Sequence, residues 1–63
     1  MSHLQDQILE FLRASPGGHT MREISDGTGV NKHTLAHSIH GLARFGLIEA
    51  RREGRKWCWY VRE

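Results

Sequence analysis

Two helix starts stand close together in this chain, and a glycine-bearing turn separates them. Thr20-Met21-Arg22-Glu23 has the pattern in which a threonine hydroxyl accepts the amide three residues on, while the glutamate there reaches back to the threonine amide. Asn31 heads a second segment, where its side chain can accept an orphan amide of the first turn. Between the two, Gly27-Thr28-Gly29-Val30 reads as a tight turn, so the first of these helices is expected to end near Asp26-Gly27.

Short helix, glycine turn, capped helix is a helix-turn-helix arrangement, and the rest of the chain has to cover its apolar side. Upstream, Leu4, Ile8, Phe11 and Leu12 recur at the spacing of one helix face. Ser2 with Gln5 can cap the start of that helix. It must stop by Ser15, because Pro16 disfavours helical geometry in the residue before it and Gly17-Gly18 opens a turn.

The segment that Asn31 heads has two organised faces. At about 100° per residue, Leu35, Ile39, Leu42 and Ala43 gather on one side, and His33, His37, His40 and Arg44 gather around the opposite pole. From Asn31 to Gly46 there is no carboxylate, where an ordinary solvated face mixes Glu with Lys. Gly46 closes the helix as a residue that tolerates the left-handed conformation.

A hairpin follows. Residues 47–52 and 55–61 flank Glu53-Gly54, read as a two-residue loop. That register sets Ile48 against Trp59 and Ala50 against Trp57, with Val61 on the same apolar face, and leaves Leu47, Glu49, Cys58 and Tyr60 on the other. It also sets Arg51 against Lys56 and Arg52 against Arg55. Like charges facing each other across a strand pair are destabilising, and an anion between them removes the conflict. Phosphate is the expected anion; the plainer reading is that the charges keep an exposed edge from aggregating. Bases can stack on such rings, but alternation puts both tryptophans on the apolar face; Trp59 is expected in the core, and Trp57, nearer the turn, is left open between packing and contact with nucleic acid.

Charge is uneven along the 63 residues. Residues 1–29 carry Arg13 and Arg22 against Asp6, Glu10, Glu23 and Asp26, a balance of −2. Residues 30–63 carry Lys32, Arg44, Arg51, Arg52, Arg55, Lys56 and Arg62 against Glu49, Glu53 and Glu63, a balance of +4. A polyanion partner for the second half is the expectation. The length allows one domain, 1–63, which buries only about 60% of the surface its unfolded chain exposes. A lone cysteine excludes an internal disulfide and Cys-rich zinc frameworks, and Cys58 is expected to be simply buried. No apolar run reaches the roughly 20 residues of a membrane span and no secretory leader is visible, so the expected location is cytoplasmic, on the nucleoid, or nuclear in a nucleated cell.

Helix, short helix, turn, capped helix and basic hairpin follow the order of the winged helix-turn-helix domain. Through TMREISDGTGVNKHTLAHSIHGLARFGLIEA and GRKWCWYV the chain resembles the DNA-binding cores of the arsenical-resistance and multiple-antibiotic-resistance repressor families. The fold so implied is α+β, with three helices and a small antiparallel sheet that ends in a β-hairpin wing; a short strand near His19-Thr20 completes the sheet. The resemblance implies that the third helix enters the major groove while the wing holds backbone or minor groove. Its candidates are Asn31, Lys32, His33, Thr34, His37, His40 and Arg44 on the helix, with Arg51, Arg52, Arg55 and Lys56 on the wing. A looser similarity links Lys32-His33 and Trp57 to the Z-DNA-binding winged helices, but Ala36 and His40 stand where that family has its contact residues.

The expected function is sequence-specific binding of double-stranded DNA in transcription regulation, by a monomer or weak homodimer, with no cofactor and no membrane. Near neutrality the histidines serve as donors or acceptors; below the ordinary imidazole pKa of about 6.5 they become cations, so acid should tighten binding. His33, His37 and His40 also have a spacing that can seat zinc or nickel, though with no thiolate or carboxylate to complete the set. A protein-docking winged helix is the other alternative, through a patch of Leu9, Leu47 and Tyr60. An enzyme is not expected: paired carboxylates, an activated nucleophile and a phosphate-cradling loop are all missing from the pattern.

Overall fold

The computed structural model describes residues 3–62. Three helices, α1 (His3–Ala14), α2 (Met21–Thr28) and α3 (Lys32–Arg44), precede an antiparallel pair, β1 (Ile48–Glu53) and β2 (Lys56–Val61). The proposed cap at Ser2 lies outside the described residues.

Local chemistry accounts for the boundaries of α2 and α3. At the start of α2, Glu23 N–H donates to Thr20 Oγ1 at 3.2 Å and Thr20 N–H donates to Glu23 Oε1 at 2.9 Å, which completes the expected reciprocal cap. The helix runs past Asp26-Gly27 to Thr28, one turn-residue later than the sequence reading placed its end. The left-handed position is Gly29, with φ of 76°, and Gly27 stays helical beneath the Phe11 ring. Ser25 Oγ then donates to Val30 O at 2.6 Å, tying the turn back to the helix. Asn31 Oδ1 accepts Thr34 N–H at 3.0 Å and opens α3 as expected. At the far end of α3, Gly46 N–H reaches Ala43 O and Leu47 N–H reaches Leu42 O, both at 3.0 Å. This paired closure needs a left-handed residue, and Gly46 supplies it with φ of 76°.

The core is Ile8, Leu9, Leu12, Ile24, Leu35, Ile39, Leu42 and Ile48, drawn from all three helices and β1. Each side chain removed from water this way contributes about 1.5–3 kcal/mol, against a net stability for small domains of about 5–15 kcal/mol. Leu9 is therefore core, at 2% exposure, and cannot belong to the docking patch with Leu47 and Tyr60. Among the described residues, Phe45 and Trp57 are the exposed large apolar ones, at 71% and 59%.

The hairpin register differs from the sequence reading. Ile48 faces Val61, Ala50 faces Trp59, Arg51 faces Cys58, Arg52 faces Trp57 and Glu53 faces Lys56. The loop is Gly54-Arg55, so the like-charge pairs Arg51–Lys56 and Arg52–Arg55 do not form. Glycine geometry decides this. With Glu53-Gly54 as the loop, a two-residue turn of the type that needs positive φ at both positions would strain Glu53. With Gly54 first, the single positive φ, 64°, falls on glycine. Because the shift is by two residues across the pair, the faces keep their membership: Ile48, Ala50, Trp57, Trp59 and Val61 still point one way. The third strand appears as a bridge between His19 and Trp59, with His19 N–H donating to Trp59 O at 3.2 Å and Trp59 N–H donating to His19 O at 2.8 Å.

Candidate nucleic-acid interface

On α3 the packing of Leu35, Ile39 and Leu42 into the core turns the opposite face outward. Asn31, Lys32, His33, Thr34, His37, His40 and Arg44 are all exposed. The first turn holds no acidic residue and the last holds Arg44. The positive end of the helix dipole at Asn31-Lys32 is thus left unneutralised by any carboxylate of its own helix, a suitable seat for an anion. Among the described residues no group of three or more His, Cys, Asp or Glu is placed to hold a metal ion, so the three histidines do not converge as a ligand set.

The wing separates its charges by face, a feature the sequence reading did not draw out. Outward of the sheet lie Glu49, Arg51, Glu53, Lys56, Cys58 and Tyr60. Arg51 Nη2 donates to Glu49 Oε1 at 2.6 Å, and its guanidinium stands 4.8 Å from the centre of the Tyr60 ring. Glu53 faces Lys56. The Tyr60 hydroxyl first and the Cys58 thiol second hold the Glu53 carboxyl below the usual carboxylate range, and Glu53 in turn pushes both of those groups up. The face therefore carries as many carboxylates as cations, and its Arg51 is tied directly to one of them. Toward the helices the same hairpin carries Ile48, Ala50, Trp59 and Val61 and, near its tip, Arg52 and Trp57 with no carboxylate. Arg52 Nε donates to Gly54 O at 3.2 Å, which holds its guanidinium at the turn. Arg55, in the loop, and Lys56 are exposed.

The expected site residues thus fall into two exposed groups, one on α3 and one on the wing. Arg51 differs from the others in having its charge satisfied within the wing. The Glu49–Arg51 pair was readable in principle, since residues two apart on a strand share a face.

Comparison with known proteins gives the same architecture. Residues 7–52 match the IclR helix-turn-helix domain family. The fold superposes on the PcaV transcriptional regulator of Streptomyces coelicolor with a TM-score of 0.90 and 26% identity, covering 100% of this chain and 46% of that one. A homodimeric winged helix-turn-helix DNA-binding domain of Mycobacterium bovis, a possible ArsR-family regulator, aligns at 0.80 and 31% identity, over 95% of this chain and 55% of that one. A MarR-like regulator of Thermotoga maritima aligns at 0.88 with 17% identity, over 100% and 46%, a likeness of fold alone. The chain spans about half the length of these solved regulators. No curated protein matches it in sequence. The expected winged helix and its likeness to the arsenical- and multiple-antibiotic-resistance regulators are borne out.

Proposed function

The chain belongs to the IclR helix-turn-helix domain family, a DNA-binding fold of transcriptional regulators, and from that premise we propose that α3 reads base edges while the wing grips the duplex backbone. The observation that carries this reading is the α3 surface: an exposed run from Asn31 to Arg44 with cationic and hydrogen-bonding side chains and no carboxylate. Lys32, Arg44, Arg52, Arg55 and Lys56 neutralise phosphates. Thr34, His37 and His40 face the groove floor, where hydroxyl and imidazole groups discriminate donors from acceptors. The role is binding rather than catalysis. The protein works as a monomer or a weak homodimer in a compartment that holds DNA; no described helix is long and apolar enough to cross a membrane.

Fluorescence-anisotropy titration of a labelled duplex across a salt series tests it. With about five phosphates engaged, log K falls against log salt with a slope near −4 to −5, from about 0.9 per neutralised phosphate. A slope near zero is incompatible with this reading.

A further inference from the structure

We propose that Trp57 is a DNA-contact residue: with Arg52 it forms an aromatic-and-cation pair on the helix-facing side of the wing tip that packs against a deoxyribose-phosphate strand of duplex DNA. The inference rests on the DNA-binding reading above and deepens it, because Trp57 lies outside the residues that the fold's order of elements would nominate.

Three observations carry it. First, β2 alternates, and the residues that share Trp57's face, Trp59 and Val61, pack against the core, whereas Trp57 is 59% exposed. The apolar face therefore continues past the last helix that could cover it. A tryptophan left in water there forgoes much of the burial that an aromatic of its size contributes. Second, Trp57 stands directly across from Arg52 in the ladder, so the two side chains emerge side by side from one face. Third, charge complementarity selects the occupant. The outer face of the same hairpin pairs Arg51 with Glu49 and sets Glu53 against Lys56, while the face of Arg52 and Trp57 has a cation and no anion. A polyanion with an apolar flank fits that pair, and a sugar-phosphate strand offers both: charged oxygens for the guanidinium and the carbon edge of deoxyribose for the indole. Arg52 is already anchored by its bond to the Gly54 carbonyl, so little of its freedom is lost on contact.

The test uses the chain with a random-sequence duplex of about 20 base pairs, two helical turns. Anisotropy gives affinity for the wild type, Trp57→Ala and Trp57→Phe, and proton-nitrogen spectra follow the two indole N–H signals, assigned by the loss of one in Trp57→Phe. The expected result is binding about tenfold weaker in W57A, near wild-type binding in W57F, unchanged thermal stability in both, and a DNA-induced shift of the Trp57 indole larger than that of Trp59. Wild-type binding with W57A within about twofold and a stationary Trp57 signal overturns the proposal and leaves the DNA reading standing. Loss of affinity in W57A that W57F does not restore also overturns it, because the contact argued here needs only an aromatic face. Absence of any duplex binding by the wild type removes both together.

Discussion

A Cβ atom placed on Gly27 would collide with Cε1 of Phe11, so α2 meets α1 at a point with room for a hydrogen only. Phe11 in turn packs its ring 5.1 Å from that of His19, beside the strand segment that bridges to Trp59. One glycine thus sets how closely the first two helices approach and, through Phe11, how the sheet edge is supported.

Gly27→Ala gives this relationship a sign. In an unconstrained helix the change stabilises by about 1 kcal/mol. Here the methyl group forces the Phe11 ring aside, and overpacking of this kind costs about 1–3 kcal/mol. The expected outcome in urea unfolding is net destabilisation, relieved when Phe11→Leu is added. Additive single effects in that double-mutant cycle would show that the two residues do not press on each other.

Asn31 joins folding to binding. Its side chain caps α3 through Thr34 N–H, and its exposed position puts it at the proposed DNA surface. Asn31→Ala should lower stability by about 1 kcal/mol. Asn31→Asp caps about as well, so stability should hold, yet it adds the carboxylate that this face lacks. Duplex affinity should then fall about tenfold. Equal affinity for N31D and wild type would remove Asn31 from the interface.

The two adjacent arginines should behave differently. Arg52 sits on the face without an anion, whereas Arg51 is held by Glu49 and lies over Tyr60. Arg52→Ala should weaken duplex binding and reduce the magnitude of the salt slope by about 1. Arg51→Ala should change the slope much less, and Glu49→Gln should raise affinity by freeing the guanidinium. Identical slopes for R51A and R52A would show that the charge segregation of the wing does not govern contact.

Much of this was legible in the sequence, for reasons that differ by element. α3 was readable because its signals are local: an Asn cap, an apolar period and a closing glycine, each acting within a turn of its target. The same periodicity that buries Leu35 and Ile39 dictates that His37 and His40 face outward, so the helical half of the candidate site followed directly. The hairpin register was not readable from hydrophobic pattern, because a two-residue shift across the pair leaves every side chain on its original face. The choice rested on which loop position takes positive φ, and Gly54 takes it as the first. The end of α2 was misplaced because Gly27 looks like a turn residue; its real reason is the Phe11 ring, a contact sixteen residues away in sequence that no local rule contains. Leu9 is core because α1 buries a stripe one row wider than Leu4, Ile8, Phe11 and Leu12.

Cys58 gives a probe of the wing's outer face that needs no DNA. The residue is 7% exposed, and the Glu53 carboxylate first, then desolvation, pushes its thiol up from the ordinary range. A raised thiol holds less thiolate at a given pH, and thiolate is the species that alkylates. Iodoacetamide should therefore modify Cys58 slowly near neutral pH. Glu53→Gln removes the charge that disfavours thiolate, so alkylation should quicken, provided the far-ultraviolet circular dichroism of the variant shows the fold intact. Because the same carboxylate raises Tyr60, the tyrosinate absorbance of E53Q should appear at lower pH than in the parent. If neither thiol rate nor tyrosine titration moves, Glu53 does not lean over β2 in solution.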